Sequence, residues 1–190
     1  IVADGHALTL HLVRPHGSRG RLPYFVFIHG GGWVLGDYPT HRRLIRDLVV
    51  ESEVAAVFVD YTPSPEAKYP QAVDEIYAAV KWVAENDAEL DLDRRRMALV
   101  GNSAGGNMAL AAALLAKKRH APAVRALVLL WPVTSASSDW KSYALYGGER
   151  FLTAPLMKWM FDRYTTDARA REEILLSPVN ASREELFGLP

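Results

Sequence analysis

The sequence predicts an α/β fold with a mostly parallel β-sheet, and two observations lead to that prediction. Continuous apolar segments, such as residues 24–28 and 54–59, have the composition of strands that are covered on both faces. Longer segments with apolar residues at helical spacing, such as residues 40–51 and 71–86, lie between or after them. Strands that alternate with helices in this way form parallel sheets. The 190 residues suffice for one sizeable core, so we expect a single domain.

The first half of the chain contains three predicted strands and two predicted helices. Leu8, Leu10 and Leu12 form one face of an amphipathic strand, which Pro15 ends. The two buried strands follow it, with the first helix between them. The second helix comes after a proline-rich loop, and we expect its buried stripe to consist of Ala72, Ile76, Ala79, Val80 and Val83.

The second half adds two strands and a helix before the alternation stops. Residues 97–100 form a strand, residues 108–116 an alanine-rich helix and residues 124–131 the last strand. Residues 139–166 are instead rich in aromatic side chains, and Thr153 is placed to N-cap a helix within them. This stretch is either one more core helix or an insertion over the C-terminal edge of the sheet, where α/β folds bind ligands. As an insertion it would form the apolar roof of a pocket.

Composition excludes several classes of function. Lysine plus arginine and aspartate plus glutamate number 22 each, so nothing points to a nucleic-acid partner or an anionic membrane. The absence of cysteine excludes disulfides, thiol catalysis and cysteine-ligated metal, and we expect no metal and no cofactor. No apolar run approaches the ~20 residues of a membrane span. These features favour the cytoplasm, but the chain opens at Ile1 without a methionine, which leaves an N-terminal signal open.

The residues Gly101-Asn102-Ser103-Ala104-Gly105 lie between the third buried strand and the alanine-rich helix. A serine between glycines at a strand-to-helix corner is typical of a nucleophile elbow, because the glycines avoid collisions in the tight turn and the serine oxygen stands clear of the sheet. The alternative is a glycine turn whose serine only N-caps the helix. The strand and helix on either side favour the nucleophile.

A second glycine cluster, His29-Gly30-Gly31-Gly32-Trp33, directly follows the first buried strand. Consecutive glycines leave backbone N–H groups bare, and an acyl-transfer site needs such donors for the negative oxygen of its tetrahedral intermediate. The N–H of Ala104 would be a further donor, at the positive end of the next helix. A nucleotide-binding loop fits poorly, since no lysine-serine or lysine-threonine pair follows and GxGxxG spacing is absent.

The two clusters together resemble the hormone-sensitive-lipase-like family of the α/β-hydrolases, the family IV carboxylesterases. The residues that carry the resemblance are His29 to Trp33, Asp60-Tyr61, Pro65-Glu66, Pro70, Ala72-Val73-Asp74, Gly101 to Asn107, Ser177-Pro178 and Ala181. The resemblance implies an α/β-hydrolase fold with helices on both faces of the sheet, forming one incomplete domain over residues 1–190. Residues 139–166 would then belong to a partial helical cap.

The resemblance also assigns roles to individual residues. It implies that Ser103 is the nucleophile of a serine carboxylesterase or lipase-like hydrolase, and that Gly31, Gly32 and Ala104 supply the oxyanion donors. His29 would hold the glycine loop. The implied substrates are small-molecule esters with short- to medium-chain acyl groups.

Two positions depart from the usual pattern of the family. Asn102 stands before the nucleophile where the family usually has aspartate, and Thr62 stands where it usually has arginine. Asn102 keeps hydrogen-bonding capacity but carries no charge. We expect it to change loop packing or pH behaviour modestly and to preserve the chemistry.

The general base and its carboxylate are not evident. The only histidine after Ser103 is His120, which helix geometry places about 25 Å away. The resemblance implies that the acid and the histidine follow Pro190. We therefore expect this chain to be a portion of a longer esterase, cut at both ends and nearly inactive as given. A non-catalytic ligand receptor on the same fold and an amidase or formamidase remain alternatives. The sequence does not predict the oligomeric state.

Overall fold

A computed structural model describes residues 1–148 and 150–190. Its main sheet has five strands in the order β3-β5-β4-β6-β7, of which β3 alone runs antiparallel to its neighbour. The strands are β3 (Thr9–Val13), β4 (Leu22–Ile28), β5 (Ala55–Asp60), β6 (Leu92–Asn102) and β7 (Ala126–Leu130). The mostly parallel sheet predicted from the sequence is therefore confirmed. A separate two-stranded hairpin of β1 (Val2–Ala3) and β2 (His6–Ala7) precedes it.

The helices agree with the predicted positions and add short ones near the end of the chain. They are α1 (Tyr38–Ser52), α2 (Gln71–Glu85), α3 (Ala104–Lys118), α4 (Lys141–Tyr146), α5 (Ala154–Tyr164), α6 (Ala168–Glu172) and α7 (Arg183–Leu186), with a 3-10 turn at Pro178–Asn180. Every residue of the predicted stripe on α2 is buried. The third buried strand begins earlier than predicted, because its start carries three exposed arginines that interrupt the apolar pattern.

Apolar side chains pack on both faces of the sheet. In β4, Tyr24, Val26 and Ile28 point into the larger core with α2 and α3, whereas Phe25 and Phe27 point into a smaller core with α1. The alternation follows from the two-residue period of a strand, and its burial on both faces explains the continuous apolar run. Among the described residues, no helix has both the length and the apolar character needed to cross a membrane.

The predicted segment 139–166 contains α4 and α5, and its residue Glu149 lies outside the described residues. Thr153 N-caps α5 as expected, since its side chain accepts a hydrogen bond from the Leu156 N–H at 3.3 Å. Met160 and Phe161 of α5 join the larger core. The helix thus contributes to the core, as the simpler of the two interpretations predicts, and its contacts with the site follow below.

Candidate active site

Ser103 lies at the corner between β6 and α3 in a strained backbone conformation. Its φ is 55° and its ψ is −122°, which a residue with a side chain rarely adopts. A Cβ on Gly101 would lie 2.3 Å from the Gly105 carbonyl oxygen, and a Cβ on Gly105 would lie 2.1 Å from the Ile28 carbonyl oxygen. Both glycines are therefore required by close backbone contacts, as the sequence predicts.

The Ser103 hydroxyl does not cap the helix that it precedes. Its side chain makes no capping hydrogen bond to α3. The backbone fixes the residue instead: the Ser103 N–H donates to the Leu130 carbonyl at 2.9 Å, and the Ser103 carbonyl accepts from the Val133 N–H at 3.2 Å. The interpretation of Ser103 as an ordinary N-cap is therefore wrong, and its oxygen is left available to a ligand.

The glycine loop directly follows β4, and two of its glycines have positive φ. Gly31 has a φ of 126° and Gly32 a φ of 62°. The Gly31 carbonyl accepts from the Leu35 N–H at 2.9 Å, and a Cβ on Gly31 would lie 1.9 Å from the Leu35 carbonyl oxygen. Within the described part of the chain, the N–H groups of Gly31 and Gly32 donate to no acceptor. The N–H of Ala104, in the first turn of α3, has no intrahelical acceptor either.

Asn102 joins the glycine loop to the serine corner. Its side-chain oxygen accepts a hydrogen bond from the Gly30 N–H at 2.9 Å, although the two residues are 72 positions apart. A Cβ on Gly30 would lie 3.1 Å from the Cβ of Ser103. The structure therefore brings the two glycine clusters into direct contact. Asn102, which the sequence marks only as a departure from the family, is the side chain that connects them.

Thr62, the other departure, also has a structural role. Its N–H donates to the buried carboxylate of Glu75 at 2.7 Å, and Gln71 donates to the second oxygen of the same carboxylate at 2.9 Å. The Glu75 carboxylate thus ties the loop after β5 to α2 without an arginine at position 62. Sequence reasoning gave no sign of this contact, because nothing in the local pattern shows that Glu75 is buried.

His29 contacts the glycine loop through its buried ring. The ring is 1% exposed, its Nδ1 lies 2.8 Å from the Gly30 carbonyl, and it stacks on Tyr61 at 4.1 Å between centroids. Burial lowers the pKa of His29 to about 4, although the hydrogen bond to Gly30 partly opposes this change. A neutral ring can donate from Nδ1 to the Gly30 carbonyl. This position agrees with the expectation that His29 holds the loop.

A cavity of about 630 Å³ opens beside Ser103. Its other lining includes Trp131, Trp140, Tyr143 and Met157. The last three belong to the segment 139–166, so that segment contacts the cavity as well as the core. The lining loop 131–135, which includes Trp131, was not predicted as part of the site. The feature that could have identified this loop is its position directly after β7, at the same edge of the sheet as Ser103.

Within residues 1–148 and 150–190, the Ser103 hydroxyl has no hydrogen-bonded histidine or carboxylate. His120 follows the opposite end of the 15-residue helix α3. His11 pairs with Asp60 at 2.8 Å, and His41 contacts Thr40 at 3.0 Å. The described residues also contain no group of three or more histidine or acidic side chains placed to hold a metal ion.

The sequence matches a protein family and several named esterases. The profile of a family described as having the alpha/beta hydrolase fold matches residues 25–190. An ethyl acetate hydrolase of Pseudomonas putida is 34% identical over 182 residues, which are 94% of this chain and 57% of that protein. A carboxylesterase of Mycobacterium tuberculosis, NlhH, is 35% identical over 176 residues, which are 90% of this chain and 54% of that protein. The chain thus spans little more than half the length of these relatives.

Solved structures of esterases share the fold. A thermostable esterase from Pseudomonas putida is 56% identical, with a TM-score of 0.98 over 100% of this chain and 60% of that one. A hyperthermophilic esterase from the archaeon Pyrobaculum calidifontis is 36% identical, with a TM-score of 0.93 over 99% of this chain and 61% of that one. Both similarities extend along essentially the whole of the present sequence.

Proposed function

Because the chain belongs to the hormone-sensitive-lipase-like branch of the α/β-hydrolase fold family, we propose that the protein hydrolyses carboxylic esters through an acyl-enzyme on Ser103. The observation that carries the proposal is the contact between the two glycine clusters. Ser103 stands at a positive φ with an uncapped hydroxyl beside a cavity, and Asn102 ties the corner to a loop with free N–H groups. A nucleophile and adjacent oxyanion donors are what acyl transfer requires.

In the first step, Ser103 Oγ attacks the ester carbonyl carbon and gives up its proton to a general base. The electron pair of the carbonyl π bond moves to oxygen, and the N–H groups of Gly31, Gly32 and Ala104 hold that anion. The intermediate then collapses: the bond to the alcohol oxygen breaks, and the base returns the proton to the departing alcohol. Water adds to the acyl-enzyme by the same sequence of steps and releases the carboxylic acid and free Ser103.

The base is proposed to come from outside residues 1–190, together with the carboxylate that orients it. No histidine among the described residues forms a hydrogen bond with the Ser103 hydroxyl, and His120 follows the opposite end of α3. Residues 1–190 alone should then turn over esters about 10⁶-fold more slowly than the complete natural protein, the cost of losing the base in a comparable triad. Equal turnover by the two would contradict this part of the proposal.

The cavity favours small esters with an apolar acyl or alcohol group. Its volume is about 630 Å³, and aromatic and aliphatic side chains dominate its lining. We propose short- to medium-chain acyl esters as substrates, and a series of p-nitrophenyl esters of increasing chain length measures the preference. An activity that rises steadily with chains too long for the cavity would contradict the assignment.

Replacement of the nucleophile tests the proposal directly. Ser103→Ala in the complete natural protein should lower kcat for p-nitrophenyl butyrate by about 10⁶ and abolish covalent labelling by a fluorophosphonate. Ser142→Ala is the matched control, because Ser142 lines the same cavity from α4. It should leave labelling unchanged. Wild-type hydrolysis by the Ser103→Ala variant, with normal circular dichroism, would rule out the mechanism.

Assays on the complete natural protein also distinguish ester hydrolysis from two alternatives, amide hydrolysis and ligand binding without catalysis. The esterase assignment predicts faster cleavage of p-nitrophenyl esters than of the matching p-nitroanilides. Preferential cleavage of the anilides would indicate an amidase. Stoichiometric ligand binding with neither turnover nor fluorophosphonate labelling would indicate a receptor.

A further inference from the structure

Helix α5 lies directly against the glycine loop through Met160. A Cβ built on Gly32 would lie 2.1 Å from the Met160 sulfur and 2.8 Å from its Cγ. The space that a side chain at position 32 would need is therefore filled by the methionine. Met160 is 7% exposed, so it is held there by the surrounding core.

The next loop residue is held by the same face of α5. Trp33 is fully buried, stacks on Tyr164 at 4.8 Å between centroids, and lies 5.0 Å from Phe161. Positions 160 and 161 both lie on the same face of the helix as position 164, since residues three and four apart are neighbours. One side of α5 thus contacts two consecutive residues of the loop.

Contacts with the loop before α2 fix α5 in turn. The Tyr69 N–H donates to the Tyr164 carbonyl at 3.0 Å, and the Lys68 ammonium donates to the Arg163 carbonyl. One turn before Met160, Met157 lines the cavity beside Ser103. The helix therefore contacts both the substrate cavity and the glycine loop.

We propose that Met160 is a positioning residue for the oxyanion site. Its side chain occupies the space beside the Gly32 Cα and thereby fixes the direction of the Gly31 and Gly32 N–H groups, so that these donors are in place before the negative oxygen forms. The inference rests on the proposed function, because it assigns a task to the same donors. Preorganised donors stabilise the transition state without a reorganisation cost. A loss of Met160 should therefore affect kcat more than KM.

The first test compares cavity-forming substitutions in the complete natural protein. Met160→Ala should lower kcat for p-nitrophenyl butyrate about tenfold to a hundredfold and leave KM nearly unchanged. This decrease is smaller than that caused by removing an oxyanion donor, which lowers kcat about 10²–10³-fold. Met160→Leu should restore most of kcat, because leucine keeps atoms near the Cγ and sulfur positions. The control is Met97→Ala: Met97 is buried like Met160, but it pairs with Tyr24 towards the other end of the sheet.

The result that would overturn the inference is equal kcat for Met160→Ala and Met97→Ala at matched loss of stability. Such a result would make Met160 a core residue without influence on the site. Circular dichroism and thermal unfolding of both variants establish how far stability falls in each.

The second test measures the coupling between positions 32 and 160. Gly32→Ala should lower kcat strongly, because its methyl group collides with Met160. In the Met160→Ala background the same substitution should cost at least about tenfold less, since the colliding atoms are gone. The strain of alanine at a φ of 62° is present in both backgrounds and cancels. Additive effects on kcat would overturn the inference.

Failure of this inference and failure of the proposed function give different results. If Ser103→Ala retains hydrolysis, the acyl-enzyme mechanism fails whatever the Met160 variants do. If Ser103→Ala abolishes hydrolysis and fluorophosphonate labelling while Met160→Ala behaves as Met97→Ala does, only the role of Met160 fails.

Discussion

At the scale of single residues, Asn102 has the clearest structural role, because it connects the glycine loop to the serine corner. It precedes Ser103, and its side-chain oxygen accepts the Gly30 N–H at 2.9 Å. A carboxylate at this position would accept the same hydrogen bond. The uncharged amide therefore provides the same acceptor, and the expectation that the departure leaves the chemistry intact stays a prediction.

Substitution of Asn102 separates geometry from charge. Asn102→Ala leaves the Gly30 N–H without its acceptor, which should cost about 1–2 kcal/mol of stability and about tenfold in kcat. Asn102→Asp should retain near-normal kcat, because aspartate restores the acceptor. The measurement is steady-state hydrolysis with urea unfolding of both variants. Similar losses for alanine and aspartate would show that the hydrogen bond does not matter.

At the scale of elements, the close approach of α3 to β4 decides where Ser103 lies. Gly105 lies in the first turn of α3, and a Cβ there would overlap the carbonyl oxygens of Ile28 and His29, at 2.1 and 2.5 Å. The helix can approach the strand this closely only because the side chain is absent. Ser103 is thereby held beside the loop that follows β4.

The same contact gives a prediction in which packing and helix propensity oppose each other. Alanine is favoured over glycine in a helix by about 1 kcal/mol. We nevertheless expect Gly105→Ala to destabilise the protein by about 3 kcal/mol, because the collision is with backbone that cannot turn aside. Gly106→Ala is the milder control, because a Cβ on Gly106 would have its nearest atoms 3.0 Å away, one of them in a side chain. Urea unfolding measures both, and a Gly105→Ala variant more stable than wild type would contradict the packing argument.

At the scale of the whole molecule, the register of the parallel strands assembles the site. Ile28 is aligned with Gly101, and Asn102 with Leu130, so β4, β6 and β7 end at the same edge of the sheet. The glycine loop, Ser103 and Trp131 follow these three ends. Residues from distant parts of the chain meet there because parallel strands present their C-terminal ends together.

Global stability should depend on the protonation of His29, which lies in the centre of this arrangement. Burial lowers its pKa to about 4, His41 lowers it further, and the Gly30 carbonyl, Asp60 and Asp37 partly oppose the change. The unfolded chain, with a histidine pKa of about 6.5, binds more protons between these two values. Stability therefore falls as pH decreases from about 6.5 to about 4, by up to about 3 kcal/mol.

The measurement is the free energy of unfolding in urea at pH 7 and pH 4.5. The wild-type protein should lose about 2–3 kcal/mol more over this interval than His29→Asn, which cannot bind the proton. Acidic groups with a depressed pKa, such as Asp93 at about 2, titrate below the interval. The same loss in both proteins would show that His29 does not carry the acid sensitivity.

The sequence by itself predicted most of the elements of this protein and proposed a chemistry for its candidate site. The continuous apolar segments were sufficient for the buried strands, and the glycines at 31, 32, 101 and 105 marked corners where side chains cannot fit. These signals are local, because period, apolar content and glycine act within a few residues. They predicted the parallel sheet and proposed Ser103, Gly31, Gly32 and Ala104 as the site.

Only the tertiary structure decided how these parts are held together. The hydrogen bond from Gly30 to Asn102, the burial of Glu75 and the contact of Met160 with Gly32 join positions far apart in the chain. Such pairings depend on strand order and helix packing, which no local pattern specifies. The need for a glycine can be predicted from the local turn. Which side chain fills the space beside it depends on the tertiary packing.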